Sequence, residues 1–179
     1  MFIQTEVTPN PNSLKFLPGK NVSNIGSFEI TKKEDTESEL VRNLLSINGV
    51  TGVFLGADFL SINKKEEIKW EDVKHIVISL INDFYSTGKE FVIANKLFTE
   101  KKEEHNEIEK KIISILETKI RPAVAKDGGD IKFKEFKDGI VKVELQGSCS
   151  GCPSSTMTLK QGVQNLLCHY LPEVKEVVA

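Results

Sequence analysis

The sequence predicts an α+β chain of two small domains, each a small β-sheet packed with helices, joined by a flexible charged linker. Three observations carry that expectation. Apolar residues recur with period two in short runs and at three- and four-residue spacing in longer ones, so strands and amphipathic helices share the chain. A length of 179 residues suffices for two compact modules. Midway, the pattern dissolves into the charged run Glu100-Lys101-Lys102-Glu103-Glu104-His105. The predicted boundaries are 1–88 for the first domain, 89–106 for the linker and 107–179 for the second domain.

The first domain opens with two short strands, Phe2 to Val7 and Leu14 to Leu17, separated by Thr8-Pro9-Asn10-Pro11-Asn12, where prolines forbid a helix. Leu40, Val41, Leu44 and Leu45 line one side of a helix that stops at Asn48-Gly49. Val50 to Leu55 and Phe59 to Asn63 flank Gly56-Ala57-Asp58 as a hairpin. From Trp70 to Tyr85, the residues Val73, Ile76, Val77, Leu80, Ile81 and Phe84 give one wide apolar face, ended by Gly88.

The second domain opens with a helix whose stripe is Ile108, Ile112, Ile115, Leu116 and Ile120. Pro122 should kink it, with helical structure resuming to about Lys126 before Asp127-Gly128-Gly129. Ile131 and Phe133, then Val141, Val143 and Leu145, alternate with polar residues around Asp138-Gly139, a type I′ hairpin signal. Leu159, Val163, Leu166, Leu167 and Tyr170 define a last long helix, and Val174 to Val178 add a third strand.

Composition removes several function classes. The 24 Lys and Arg are balanced by 26 Asp and Glu and interspersed with them, so no basic stripe tracks a nucleic acid backbone. No apolar run approaches the ~18 residues of a membrane span, and no membrane partner is expected. The N-terminal residues lack a basic or Arg/Ser-rich leader, so the chain as given is expected to stay where it is made. An odd number of cysteines, three, does not make a secreted disulfide framework and points to a reducing compartment.

Chemistry concentrates in Gln146-Gly147-Ser148-Cys149-Ser150-Gly151-Cys152-Pro153, where a strand runs into a helix. Pro153 suits the first helical position, and the unpaired amides and dipole of that helix end favour thiolate at Cys149 and Cys152. A thiolate pair at this spacing chelates soft metals, yet it is equally compatible with half a zinc site, a dithiol–disulfide pair or half an iron–sulfur site. Two further ligands are not evident in one chain. A helical rise of ~1.5 Å per residue puts Cys168 and His169 about 24 Å from Cys152. Cys168 therefore reads as a small, partly buried helix residue and His169 as a helix-end cation. His75 falls off its helix's apolar face, and His105 reads as a solvated linker residue. Two chains related by a twofold axis, their CSGC loops facing, would bring four thiolates together. A thioredoxin-like fold is disfavoured, because residues 172–179 leave no room for its remaining elements.

Arg121-Pro122, Asp127-Gly128-Gly129-Asp130-Ile131, Gln146-Gly147-Ser148-Cys149 and Cys152-Pro153-Ser154-Ser155 occur in the order that resembles the C-terminal domain of NifU-like proteins. Thr8-Pro9-Asn10-Pro11-Asn12-Ser13-Leu14-Lys15-Phe16 with Asp58-Phe59 resembles the N-terminal domain of the Nfu type. The resemblance implies a non-enzymatic iron–sulfur carrier or scaffold. It would hold a 4Fe–4S cluster, in some members 2Fe–2S, between two subunits through Cys149 and Cys152. Its partners would be upstream assembly proteins and apo client proteins, to which the cluster passes by ligand exchange at an exposed loop. The Asp127 to Asp130 segment reads as structural: a glycine ends the helix and Asp130 satisfies loop amides.

Overall fold

The computed structural model describes residues 2–23, 26–89, 104–150 and 153–179, with the side chains of 153–155 outside the description. Most of the predicted linker, residues 90–103, lies outside the described residues.

Among the described residues, the first five strands form one sheet in the order β1-β2-β5-β4-β3: β1 Gln4–Val7, β2 Ser13–Leu17, β3 Phe28–Ile30, β4 Val50–Leu55 and β5 Leu60–Lys64. All of its pairings are antiparallel. Strand β3 was not anticipated. It has three residues and pairs only with β4, so it carries almost no periodic signal of its own.

Helices α1 (Glu39–Ser46) and α2 (Trp70–Ser86) take their predicted places. Ser38 caps α1 by accepting from the Val41 amide. Gly88, at φ +71°, donates its amide to Tyr85 O at 3.1 Å and closes α2. The helices cover one sheet face, burying Phe16, Leu44, Leu60, Ile62, Val77 and Ile81 in a common core. Period-two alternation sends Lys15, Phe54, Ser61 and Asn63 to the other face.

Tyr85 reaches from α2 to donate to Asn21 O at 3.2 Å, and burial pushes its phenol up to about 12. From pH 10 to about 12, the unfolded chain's phenol ionises while the folded chain's stays neutral, so stability falls with rising pH in that window. Tyr85→Phe is expected to flatten this part of the profile, read as urea midpoints at pH 9 and pH 11 against the parent chain. An equally steep fall in the variant would assign the alkaline loss to other groups.

In the second part, α3 (Glu107–Ile115) begins at a capping box between Asn106 and Glu109. The expected proline kink is resolved locally. Leu116–Ile120 forms a π turn, in which the Arg121 amide donates to Leu116 O, and α4 (Arg121–Lys126) then carries Pro122 in its first turn. The wider turn accommodates a residue that lacks an amide hydrogen and whose ring crowds the preceding turn.

Strands β6 (Gly129–Lys137) and β7 (Ile140–Gly147) form the predicted hairpin, with Asp138 and Gly139 both at positive φ, 53° and 80°. Helix α5 (Pro153–Tyr170) crosses over to β8 (Glu176–Val178), which pairs parallel to β7. Ile112, Leu116, Ile131, Val143, Val163 and Leu167 fill this second core. No helix among the described residues is long and apolar enough to cross a membrane.

Candidate functional site

Cys149 follows the last residue of β7 by two positions, on a turn fixed by backbone geometry. Gly147 stands at φ +67° and Gly128 at φ +82°, conformations that a side chain resists. The Ser148 amide donates to Gly128 O at 3.2 Å, and the Ser150 amide to Gly147 O at 3.2 Å. Ser148 Oγ also donates to Asp127 O. On the helix side, Thr156 Oγ1 donates to Cys149 O at 3.0 Å and ties the loop to α5.

The thiol is less accessible than the sequence reading had it. Cys149 is 7% exposed and belongs to the second core, whereas an exposed loop was expected. The physical reason is a glycine. At Gly129 a Cβ would lie 2.8 Å from Cys149 Sγ and 2.6 Å from Gln146 O, so only the missing side chain lets the sulfur lie against β6. Cys152, the second predicted ligand, lies outside the described residues.

The other predicted candidates each have local partners of their own. Cys168 is partly buried at the far end of α5, its Sγ donating to Val174 O at 3.2 Å, and His169 packs edge-on against Tyr170. His75 is exposed on α2. His105 departs from the solvated linker role. It packs edge-on against Phe133 at 5.5 Å and pairs with Glu109 at 3.3 Å, because the capping box brings Glu109 under it. An open cavity of about 860 Å³ runs from His105 and Glu109 past Phe133 to Cys149 and Thr156. A smaller one of about 340 Å³ reaches the other side of Cys149, between Pro9, Val124, Ser148 and Leu159. Among the described residues, no group of three His, Cys, Asp or Glu could hold a metal ion.

Asp130 is 4% exposed and receives a two-pronged contact from Arg121, with Nε and Nη2 each at 2.9 Å. Its Oδ1 also accepts from the Ile131 amide at 2.8 Å, and Ser27 of the first part donates to Oδ2. Asp130 is thus structural, but through Arg121, Ser27 and a strand amide, where loop amides were expected. Asp130 locks α4 to the start of β6, which carries Gly129 beneath the thiol.

Sequence reasoning missed the residues that approach the loop from the first part. Asn10 Nδ2 donates to Ser148 O at 3.1 Å, Asn63 Nδ2 to Gly147 O at 3.1 Å and Ser61 Oγ to Gly128 O at 2.6 Å. Ser150 Oγ lies 3.4 Å from Glu29 Oε1. Burial raises the Glu29 carboxyl above its ordinary value; hydrogen bonds from Ser150 and Gly147 lower it, and Glu144 raises it further. The sequence reading allowed the two parts to move independently, whereas here the sheet face of one lies against the loop of the other. The only available signal was the period-two placement of polar residues on a face with no other cover.

Two family models match the chain: "Scaffold protein Nfu/NifU N terminal" over residues 3–88 and "NifU-like domain" over residues 112–178. The NFU1 iron-sulfur cluster scaffold homolog, mitochondrial, of Homo sapiens is 46% identical over 99% of this chain, which spans 71% of that protein. NifU-like protein 4, mitochondrial, of Arabidopsis thaliana is 44% identical over 99% of this chain, which spans 65% of that protein. A solution structure of a NifU-like protein from Saccharomyces cerevisiae is 28% identical, with a TM-score of 0.46 over 54% of this chain and 87% of that one. Matched by both models and by relatives along nearly its whole length, the chain belongs to the NifU-like proteins of the Nfu type.

Proposed function

We propose that the chain is a non-enzymatic iron–sulfur cluster scaffold or carrier. Two copies hold a 4Fe–4S cluster, or a 2Fe–2S cluster, through Cys149 and Cys152 of each. The observation that supports this most is the fixed presentation of Cys149. A thiol is held where strand meets helix by two left-handed glycines, by Gly129 and by Thr156, while the described residues around it offer no complete ligand set within one chain. A second copy supplies the missing thiolates by symmetry.

The cluster is cargo. In transfer, a client thiolate forms a bond to iron as a bond from Cys149 or Cys152 breaks, and the departing sulfur leaves as thiolate, so charge balances and no redox step is needed. Upstream assembly proteins load the site, and apo clients unload it. A bacterial cytoplasm or a mitochondrial matrix supplies the reducing surroundings, and the two eukaryotic relatives above carry the word mitochondrial in their names.

Anaerobic reconstitution with iron and sulfide, followed by Mössbauer spectroscopy and solution mass, tests the reading. The expected product is about one cluster per two chains, as a twofold site requires. Cys149→Ala is expected to lose nearly all of the cluster while keeping the far-ultraviolet circular dichroism of the parent. Tight zinc with no iron chromophore would favour a zinc-stabilised module, and disulfide reductase activity in the monomer would favour a dithiol enzyme. Either result would overturn the proposal.

A further inference from the structure

The direction in which a side chain leaves the backbone is set by the two peptide planes that flank its Cα. Those on either side of Cys149 are pinned from different parts of the chain. In the preceding plane, Ser148 O accepts from Asn10 Nδ2 at 3.1 Å. In the following plane, Cys149 O accepts from Thr156 Oγ1 at 3.0 Å, and the Ser150 amide donates to Gly147 O at 3.2 Å. The first sheet doubles the internal bonds of the turn. Gly147 O, which takes the Ser150 amide, also takes Asn63 Nδ2 at 3.1 Å, and Gly128 O, which takes the Ser148 amide, also takes Ser61 Oγ at 2.6 Å.

The donors are themselves fixed. Asn10 stands between two prolines, and its Oδ1 accepts from the Asn12 amide at 2.9 Å. Trp70 Nε1 donates to Pro11 O at 3.0 Å, and Lys64 Nζ to Asn12 Oδ1 at 3.2 Å. Ser61 lies within β5, paired with Lys15 on one side and Phe54 on the other. Phe54 is fully buried and stands where a Cβ at Gly147 would meet it at 2.9 Å. The turn, by contrast, depends on Gly128 and Gly147, which permit positive φ without enforcing it.

We propose that Asn10, Ser61 and Asn63 are positioning residues for Cys149: the first part stays docked on the turn and fixes the main chain on which the thiol is mounted. Bonds to carbonyls suit that task, since they restrain the path of the chain whatever side chains it carries. A ligand whose backbone is already ordered loses less freedom on binding, so a looser turn should release its cargo faster. The consequence for the turn stands on this geometry alone, and the consequence for cargo rests on the cluster reading above.

The test uses the full chain, reduced and free of cluster, with Asn10→Asp, Asn63→Ala and both together. Asn10→Asp keeps the acceptor bond to the Asn12 amide, but its carboxylate has no hydrogen to give Ser148 O. Amide hydrogen exchange is read residue by residue by nuclear magnetic resonance. At the Ser148 and Ser150 amides it should quicken about fivefold in each single variant, the order of one hydrogen bond of ordinary net strength, and further in the pair. The Val163 and Leu167 amides, on the buried side of α5, should keep their rates. After reconstitution, loss of iron to excess chelator should quicken by a similar factor.

Parental exchange at Ser148 and Ser150 in the double variant would overturn the proposal whether or not a cluster forms. Equal quickening at Val163 and Leu167 would overturn it too, making the contacts a general support of the second part. So would a looser turn that keeps its cluster as long as the parent does. A looser turn with no cluster in either parent or variant would leave the positioning of the turn standing and overturn the cluster reading instead.

Discussion

Gly129→Ala is expected to destabilise the chain by about 3 kcal/mol and to abolish cluster retention, although residue 129 is not a ligand. The added carbon would sit 2.6 Å from Gln146 O, 2.8 Å from Cys149 Sγ and 3.2 Å from Cys149 N. Two of these obstacles are backbone atoms. Gly129 pairs with Gly147 across the hairpin, so relief requires the end of β7 to swing away from β6 or the sulfur to rotate off the strand. The first outcome costs ladder hydrogen bonds, and the second aims the thiolate elsewhere. Urea denaturation of the reduced chain measures the stability loss, and iron content after reconstitution measures retention. A variant with parental midpoint and parental iron would show that the strand end has slack.

The second large effect is expected at Arg121. Asp130 is nearly inaccessible and depends on the Arg121 fork for its counter-charge. Arg121→Ala leaves that carboxylate buried against Ser27 and the Ile131 amide without a cation, at a cost of about 3 kcal/mol, the lower end for a broken buried pair because the arginine itself is part exposed. Arg121→Lys should fall between, since it restores the charge without the two-pronged geometry. Urea midpoints order the three proteins. A ranking with lysine no better than alanine would mean that the planar fork, and not the charge, holds Asp130.

Those two sites mark where sequence reading succeeds and where it stops. Helices α1, α2 and α5 and the β6–β7 hairpin were legible because their signals are local: three- and four-residue apolar spacing, and Asp138-Gly139 at a turn that needs positive φ. The spacing of Cys149 and Cys152 is a signal of the same local kind, and Cys152 lies outside the described residues. Strand β3 was not, because three residues at a sheet edge take their conformation from β4.

Nor was the burial of Cys149 legible. It depends on Gly129, twenty positions away in sequence and brought close by strand pairing. His105 was misplaced because its partner Phe133 lies on a different element. Asn10, Ser61 and Asn63 sit in segments whose own pattern is fully explained by the first domain. Their second role exists only once the two sheets are placed together.

The seam over the loop has a bearing on which mutations the protein can tolerate. Asn10, Ser61 and Asn63 contact carbonyl oxygens, which every amino acid possesses, and they make these contacts at residues 128, 147 and 148. Recognition of this kind is blind to the identity of the loop's side chains and acutely sensitive to its path. These three contacts therefore do not depend on which side chains the loop carries, while the conformational restriction is passed to Gly128 and Gly147. Variation among the site's serines and immobility of its glycines would be the evolutionary trace of a surface that reads the shape of a chain and leaves its chemistry to other selection.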